Sequence, residues 1–265
     1  MYIDYLSQDS IGFTKLPDGR YFFRTSSLVA LLQCPYKINF IAKQNNSDDF
    51  MKSLPLVKGK VIHAATSYLL EMYKYGLAKE GADILDKFID NQLNKEIQKY
   101  TKNLPDTDFL ENLKLDCKNA SLNFARYTVK NYTSIITEKT IIIEKDSFVL
   151  KLTPDLITEH GIVDYKTTKK QLTSNFYISY DYALQMAVYS HYLQMDAQLL
   201  FYSFTDGKLL LKKPGKFNNI EERILRLIDL LENNKLYKNQ HACSTCFYKN
   251  KCTLGTDTTF DMKIE

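Results

Sequence analysis

The sequence predicts a mixed α/β fold in which a central mixed β-sheet is flanked by helices. Residues 25–131 place apolar side chains at the spacings of three and four that suit amphipathic helices. Residues 132–168 change character and are rich in β-branched residues, with turn signals at EKDS and TEHG. Residues 180–234 return to helical patterns on either side of one hairpin signal. Strands between blocks of helix therefore indicate a sheet with helices packed against it.

The helical block divides at its turn signals. Residues 25–44 begin with Thr and Ser and are interrupted by Pro35, so we expect a helix, a break and a second helix. Residues 56–75 give an apolar stripe that Gly76 ends. Residues 81–131 are expected to form two or three helices around the punctuation NLPDTD.

The remaining elements follow from periodicity and turn chemistry. Three strands in a meander are expected within residues 132–168. A long helix is expected over residues 180–195 and a last helix over residues 218–234. Asp206 and Gly207 stand between two apolar runs, which predicts a β-hairpin.

Composition places the chain among ordinary globular proteins. Its 265 residues are 45% apolar and 25% charged, which excludes wholesale disorder and fibrous classes. A net charge of +4 permits a phosphate-bearing partner without requiring one. The stretch MYIDYLSQDSIGF has acids where a signal peptide has a basic stretch, and no segment has the apolar run that a membrane helix needs. We therefore expect a soluble, cytoplasmic protein with no membrane partner, in a compartment where disulfides seldom persist.

Two acids and a lysine stand out in the β-rich block. Asp164 and Lys166 lie two residues apart after the apolar stretch GIV, so both point to one face of the strand while Tyr165 points to the other. A tight return at TEHG can bring Asp155 of the preceding strand beside Asp164. Adjacent carboxylates repel one another unless a cation lies between them, and hard oxygen ligands favour Mg²⁺ or Mn²⁺. Lys166 could then hold an attacking water and offset the charge that grows on a phosphate.

The alternative for this cluster is a solvated strand end with scattered charge, which is the commoner meaning of an isolated Asp-x-Lys. The apolar GIV before Asp164 favours a functional interpretation, because the charges follow a buried stretch instead of alternating along an exposed strand. The pattern therefore indicates a metal site at the end of this strand.

The cysteines suggest a second metal centre. Cys243, Cys246 and Cys252 stand in CSTCFYKNKC, where a two-residue spacing lets both thiolates of a pair reach one centre. Three thiolates need a fourth ligand, for which Cys34 in LLQCPYK is the candidate and Cys117 the competitor. Zinc and an iron–sulfur cluster both accept four thiolates, although zinc ribbons usually offer two local cysteine pairs and this chain offers one.

The segment PDLITEHGIVDYKT resembles the catalytic core of the PD-(D/E)xK nuclease superfamily. It is most similar to the RecB-like exonuclease branch, which includes the CRISPR-associated exonucleases and the nuclease domains of AddAB. In that branch an upstream helix carries a metal-binding histidine, and GKVIHAATSYLLE supplies His63. A downstream helix carries Gln-x-x-x-Tyr, and YALQMAVYSHYL supplies Gln185 and Tyr189, which share a helix face. Taken alone, His63 would more often be a packed core histidine, but four elements in the family's order favour the nuclease interpretation.

The resemblance implies a restriction-endonuclease-like core with metal-dependent exonuclease activity on DNA. The residues it implies as catalytic are Asp155, Asp164, Lys166, Gln185 and Tyr189, and the metal ligands are His63, Asp155, Asp164 and the backbone carbonyl of Tyr165. In this scheme Lys166 positions the water, while Gln185 and Tyr189 orient Lys166 or the scissile phosphate. Glu144 matches a position where the branch often has an acid, and an outward charge at a strand end explains it equally well.

The resemblance also implies an iron–sulfur cluster, most often 4Fe-4S, with one cysteine ligand before the nuclease core and three after it. The implied ligands are Cys34, Cys243, Cys246 and Cys252. The sequence CPYK matches the family's first cysteine, whereas Cys117 in LDCKNA lies in a helical stretch and is predicted to be structural. A cluster that joins the two ends of the chain would act as a clasp, needed for stability more than for the chemical step.

The predicted organisation is a single nuclease domain over residues 1–265. Its parts are N-terminal helices with the first cysteine and the histidine (1–75), a helical insertion (76–131), the catalytic sheet and helix (132–215), and the last helix with the cysteine cluster (216–265). Two rival functions are a non-catalytic DNA-binding or assembly subunit of a nuclease complex and a zinc-stabilised binding protein.

The expected partner is DNA, single-stranded or as duplex ends. Lys166, Lys169 and Lys170 cluster at the exit of the strand and could contact phosphates without reading sequence. For the later lysine cluster a solvated face is the favoured interpretation, and its members are Lys212, Lys213 and Lys216. Other nuclease, helicase or CRISPR adaptation proteins are further candidate partners, with recombination, repair or CRISPR adaptation as the candidate pathways.

Overall fold

The computed structural model describes residues 12–41 and 49–246, together with Lys249 and Cys252. Its strands form two mixed β-sheets that helices flank, which confirms the predicted mixed α/β fold class. Within these described residues, no helix is both long and apolar enough to cross a membrane.

The described part of the chain contains nine strands. They are β1 (Phe13–Lys15), β2 (Tyr21–Arg24), β3 (Ile135–Thr137), β4 (Ile141–Glu144), β5 (Phe148–Leu152), β6 (Leu156–Thr158), β7 (Gly161–Thr168), β8 (Ala197–Ser203) and β9 (Leu209–Lys212). The first sheet has the order β1-β2-β5-β4, with β2 and β5 parallel. The second sheet has the order β3-β6-β7-β8-β9, with β7 and β8 parallel. The other neighbouring strands are antiparallel.

Helices precede, follow and connect the strands. They are α1 (Thr25–Gln33), α2 (Ile38–Ile41), α3 (Phe50–Lys74), α4 (Ala78–Asp83), α5 (Leu85–Ile97), α6 (Thr107–Asn131), α7 (Tyr180–Leu193) and α8 (Ile220–Glu232). Short 3₁₀ turns cover Pro35–Lys37 and Gln240–Thr245. Helix α7 is the crossover that a parallel pair such as β7 and β8 requires.

Strand β7 lies at the centre of the second sheet, and two apolar cores cover its two faces. Val163 and Tyr165 pack in one core with Phe124 of α6. Ile162 packs in the other core with Leu184 of α7. Because side chains alternate along a strand, the residues of β7 that follow Ile162 at steps of two face α7. Because β7 is buried on both faces, its first half is apolar and β-branched.

The predicted helices are present with shifted boundaries. The helix expected from residue 56 begins at Phe50, where Asp49 Oδ1 accepts a hydrogen bond from Lys52 N at 3.2 Å and caps the helix. The break at Pro35 is present as a 3₁₀ turn, and three helices occupy the region between Gly76 and Tyr132. Strands β8 and β9 flank Asp206 and Gly207, as the hairpin signal predicted.

The strand count and the sheet count were wrong. Five strands occupy the region where a three-stranded meander was expected, and they divide between two sheets. The division arises because β5 pairs in parallel with β2, which lies over one hundred residues earlier in the chain. Asp155 was assigned to a strand and lies instead in the bend before β6, where Leu156 begins the pairing with Val163.

The turn between β6 and β7 depends on Gly161, whose φ of +124° is rarely adopted by L residues. A Cβ atom there would lie 2.2 Å from the main-chain oxygen of Asp196. We expect Gly161→Ala to reduce the free energy of unfolding by about 2–4 kcal/mol, because strain and overlap add. Thermal denaturation measures this loss.

The matched control is Gly59→Ala within α3, where an added Cβ meets open space and φ is ordinary. Alanine should stabilise that helix by about 0.5–1 kcal/mol. If the two variants melt alike, the assigned constraint at Gly161 is wrong.

Candidate active site

Six side chains from four parts of the chain lie together beside β7. They are His63 of α3, Asp155 before β6, Asp164 and Lys166 of β7, and Gln185 and Tyr189 of α7. All six belong to the set that the sequence predicted. The antiparallel pairing of Leu156 with Val163 is what sets the bend before β6 beside the middle of β7.

Asp155 is held through both of its oxygens. Its Oδ1 lies 2.8 Å from His63 Nδ1, and its Oδ2 accepts a hydrogen bond from the main-chain N–H of Tyr165 at 2.7 Å. Burial alone would raise the pKa of Asp155, but the charge and hydrogen bond of His63, with Lys166 and the Tyr165 N–H, hold that pKa below its usual value. Asp155 is therefore a preorganised, ionised carboxylate.

Asp164 has the opposite electrostatic character. Only 1% of its surface is exposed. Burial and then the negative charge of Asp155 raise its pKa to about 6, and they outweigh the nearby Lys166 and His63. Its Oδ2 contacts Lys166 Nζ as an ion pair but receives no hydrogen bond of acceptable angle, whereas its Oδ1 accepts one from Gln185 Nε2 at 3.3 Å. This buried oxygen retains the capacity to bind a cation.

His63 and Lys166 are the positively charged or chargeable members of the cluster. Burial opposes their protonation, but the charges of Asp155 and Asp164 outweigh it and raise the pKa values of both groups. The His63 side chain is 28% exposed and that of Lys166 is 14% exposed. A small solute can therefore reach the carboxylates from their side.

Helix α7 supports the cluster from the opposite side. Gln185 and Tyr189 lie four residues apart, and Gln185 Nε2 donates to the Tyr189 hydroxyl oxygen at 3.2 Å. The Tyr189 hydroxyl donates in turn to the carbonyl oxygen of Thr153 at 3.0 Å. Tyr189 is 2% exposed, so it positions Gln185 and is not itself open to a ligand. Burial raises the pKa of its phenol, which keeps it a neutral donor.

Sequence reasoning missed one member of the site. The ring centroid of Tyr182 lies 5.0 Å from Lys166 Nζ, a cation–π distance. Tyr182 stands three residues before Gln185 on α7, so a search for aromatic residues one turn from the predicted glutamine could have found it.

The donor set suits a divalent cation. Two carboxylates are the oxygen ligands that Mg²⁺ and Mn²⁺ prefer, and an imidazole beside them is a ligand that transition-metal ions accept. In the described part of the chain, no three His, Cys, Asp or Glu side chains are arranged around a single metal position. His63 and Asp155 bond to each other and Asp164 pairs with Lys166, so a cation would take the place of these contacts. The fourth predicted ligand, the carbonyl of Tyr165, belongs to a residue fixed by a ring stack on Phe124 at 4.7 Å.

The four cysteines that the sequence singled out line one cavity of about 70 Å³. Three lysines share its wall, and they are Lys37, Lys238 and Lys249. All five cysteines of the chain are free thiols. Burial, followed by the proximity of the other three cysteines of the cavity, raises the pKa of Cys243. The thiols are therefore close enough to repel one another when ionised.

Cys117 lies outside this cavity. It is fully buried on α6, and burial raises the pKa of its thiol to about 12. Glu144 also stands apart from the six-residue cluster, because its exposed carboxylate pairs with Arg20 Nη1 at 3.1 Å. Two lysines of the later cluster have partners within the chain, Lys212 in a partly buried contact and Lys213 in an exposed ion pair. Lys212 Nζ donates to the carbonyl of Phe176 at 2.5 Å, and Lys213 pairs with Asp196 at 2.6 Å.

The raised pKa of Asp164 predicts a cost to the metal-free fold. An unfolded aspartate ionises near pH 3.8 and the folded one near 6, so the native state binds more protons between these values and loses stability as the pH rises through them. We expect Asp164→Asn to stabilise the metal-free protein by up to about 3 kcal/mol above pH 6 and to have little effect below pH 4. Thermal melts at pH 4 and pH 8 measure the difference.

Asp155→Asn is the matched control, because the pKa of Asp155 is lowered. Its replacement should destabilise the protein at pH 8. Destabilisation by both variants at pH 8 would contradict the opposite roles assigned to the two carboxylates.

Comparison with known proteins gives a match at the level of a superfamily. A family profile described as the PD-(D/E)XK nuclease superfamily matches residues 25–253. No curated protein matches the chain. The crystal structure of SSO0001 is similar at 13% identity and a TM-score of 0.42, covering 94% of this chain and 90% of that one. A Eubacterium rectale protein named "Putative exonuclease" is similar at 16% identity and a TM-score of 0.43, covering 92% and 91%. Because the profile spans most of its length, the chain belongs to the PD-(D/E)XK nuclease superfamily.

Proposed function

We propose that this chain is a Mg²⁺- or Mn²⁺-dependent DNA exonuclease of the RecB-like branch, with an iron–sulfur cluster bound by its cysteines. The observation that carries the proposal is the partly buried Asp155 beside the fully buried Asp164, with Lys166 in contact with Asp164. Nucleases of this superfamily use divalent metals. A buried carboxylate pair with a costly charge on one member is the arrangement expected of a site that binds a cation.

The metal ligands in this proposal are His63, Asp155, Asp164 and the carbonyl of Tyr165. A bound divalent ion lowers the pKa of a coordinated water and stabilises charge on a phosphate oxygen. The chain's own residues do the rest. The N–H of Tyr165 and the imidazole of His63 fix the orientation of Asp155, and Gln185 with Tyr189 fixes that of Asp164.

Lys166 is the residue proposed to face the reacting phosphate. Its ammonium lies between the Asp164 carboxylate and the ring of Tyr182, which restricts where it can point. Its raised pKa keeps it protonated, so it can donate hydrogen bonds to an attacking water or to a phosphate oxygen. It cannot act as a general base while it remains charged.

DNA is the proposed substrate, with single strands or duplex ends favoured. Lys169 and Lys170 are exposed just beyond the end of β7 and can neutralise phosphates without reading bases. The engaged contacts of Lys212 and Lys213 favour a structural role for the later cluster. Processing of DNA ends in recombination, repair or CRISPR adaptation suits such an activity, in company with other nuclease, helicase or adaptation proteins.

An iron–sulfur cluster is proposed over zinc for the cysteine cavity. The volume of the cavity, about 70 Å³, is several times the ~10–15 Å³ that one water-sized sphere occupies. That space suits a multi-atom cluster better than a single ion. Three lysines in the wall offset the negative charge that four thiolates bring. A cytoplasmic location belongs to the same proposal, since free thiols persist there.

We also propose that the described residues belong to one nuclease domain with α4–α6 as an insertion. Helix α6 of this insertion contacts the strand that carries the candidate site, because Thr128 Oγ1 and the Tyr165 hydroxyl lie 2.8 Å apart.

A non-catalytic assembly subunit is the rival function, and the complete set of two acids and a lysine favours catalysis over it.

Loss of the lysine should separate chemistry from binding. We expect Lys166→Ala to lower the rate of cleavage of end-labelled single-stranded DNA with Mn²⁺ by about 10³-fold, because the transition-state charge loses its donor. DNA affinity, measured by fluorescence anisotropy, should change little. Lys130→Ala, at an exposed position in the last turn of α6, serves as control and should cleave normally. Substantial cleavage by purified Lys166→Ala protein would overturn the site assignment.

Loss of one cavity cysteine should remove the metal and the clasp together. We expect Cys246→Ala, purified without oxygen, to lose iron and visible absorption and to melt at least about 5 °C lower. Cys117→Ala removes a buried sulfur outside the cavity, so it should keep full iron content while losing only about 1 kcal/mol. A native protein that contains zinc and no iron would refute the cluster and leave the nuclease proposal untouched.

A further inference from the structure

Gln33 is a buried junction between the cysteine cavity and the active-site helix. It is the last residue of α1, stands immediately before Cys34 and is 9% exposed. Its side-chain oxygen accepts from Lys37 Nζ, and its side-chain nitrogen donates to Asp181 Oδ1 at 2.5 Å. Its main-chain oxygen accepts from Asn239 Nδ2 at 2.8 Å. One residue therefore ties together α1, the turn after it, α7 and the C-terminal segment.

Two of these partners belong to the cysteine cavity. Lys37 and Asn239 both line it. The main-chain N–H of Asn239 lies 3.4 Å from Cys34 Sγ, and its main-chain oxygen lies 3.7 Å from Cys243 Sγ. Any group that fixes the two sulfurs therefore also fixes Asn239, and through it the end of α1.

The third partner belongs to the active-site helix. Asp181 lies in the first turn of α7, one residue before Tyr182 and four before Gln185. Asp181 and Gln185 therefore share a helix face, and Gln185 donates to Asp164 while the Tyr182 ring lies beside Lys166. The first turn of α7 is thus the point where a displacement would reach both carboxylate and lysine.

We propose that Gln33 and Asp181 are positioning residues that couple occupancy of the cysteine cavity to the order of α7 at the active site. The inference rests on the proposed function for its catalytic consequence, but the coupling itself is a property of the fold. Buried polar groups in such a network must keep their partners, so displacement of one member is transmitted to the next. With the cysteines held by a bound cluster, α7 is anchored. With the cysteines released, its first turn loosens.

Hydrogen exchange of the α7 amides tests the coupling without relying on cleavage. The proteins compared are the native chain, Gln33→Leu, Cys246→Ala and the double variant. We expect roughly tenfold faster exchange in α7 for each single variant and no further increase in the double variant. Exchange in α6 should stay unchanged. Independent effects that multiply in the double variant, or native exchange rates in α7 of Gln33→Leu, would overturn the proposal.

A second comparison covers the case in which Cys246→Ala unfolds and α6 also exchanges faster. Gln33→Leu protein with full metal content is then compared with native protein, and only faster exchange in α7 supports the coupling. Glu96→Gln is the matched control, because Glu96 of α5 is 8% exposed and pairs with Lys60 of α3 and with Lys99 just after α5, and none of these residues is a partner of Gln33. It should lower the melting temperature and leave α7 exchange unchanged.

Steady-state cleavage kinetics test the catalytic consequence of the coupling separately. Gln33→Leu should lower kcat several-fold with an unchanged KM, and Asp181→Asn, which keeps an oxygen acceptor for Gln33, should retain most of the native kcat. A native chain that cleaves no DNA but shows the non-additive exchange would refute the proposed nuclease function and leave the coupling standing. A chain that cleaves DNA, but in which the exchange effects of the two substitutions multiply, would refute the coupling and leave the proposed nuclease function standing.

Discussion

The structure depends on keeping two carboxylates side by side in a place from which water is largely excluded. Asp155 and Asp164 repel each other, and burial strengthens that repulsion. Each surrounding contact offsets part of it: an imidazole and a backbone N–H on Asp155, an ammonium and an amide on Asp164. These groups come from α3, β7 and α7, and Asp155 itself lies in the bend before β6, so the electrostatic demand of one point involves four parts of the chain.

The two acids divide this burden unequally. Asp155 has a hydrogen-bonding contact at each oxygen, which stabilises its ionised form. The Oδ2 atom of Asp164 receives no hydrogen bond, so the ionised form of Asp164 is stabilised less. Under the proposed function, a cation bound at the site would relieve this cost, which folding has already incurred. Stability and function therefore oppose each other at this carboxylate, a conflict that is common where a protein must bind a charge.

Local patterns predicted which side chains lie together in the candidate site, because its parts are local. Asp164 and Lys166 follow from the period of a strand, and Gln185 and Tyr189 from the period of a helix, so their relative directions could be worked out before any tertiary contact was known. The mixed α/β class followed from the same periodicities. Pairing between strands that are distant in the sequence was not predicted. The pairing of β2 with β5 forms a second sheet, and no sequence pattern in either strand indicates that the other is its partner.

The same limit explains the residues that sequence reasoning missed. Tyr182 matters because it faces Lys166 across the crossover, and Gln33 because three separate segments meet at its side chain and carbonyl. Neither residue belongs to a motif. Tyr182 could be found only by its helical spacing from Gln185, and Gln33 carries no signal in the sequence, because its partners come together only in the folded chain.

The cysteine cavity has a consequence for the order of events during synthesis. Cys34 and Cys243 are separated by more than two hundred residues, yet both line the same cavity. At translation speeds of about 5–20 residues per second, the first cysteine waits roughly 10–40 s for the others. The residues of the candidate active site all emerge within that interval. The four-cysteine cavity can therefore form only after the strands and helices that precede Cys243 have been synthesised.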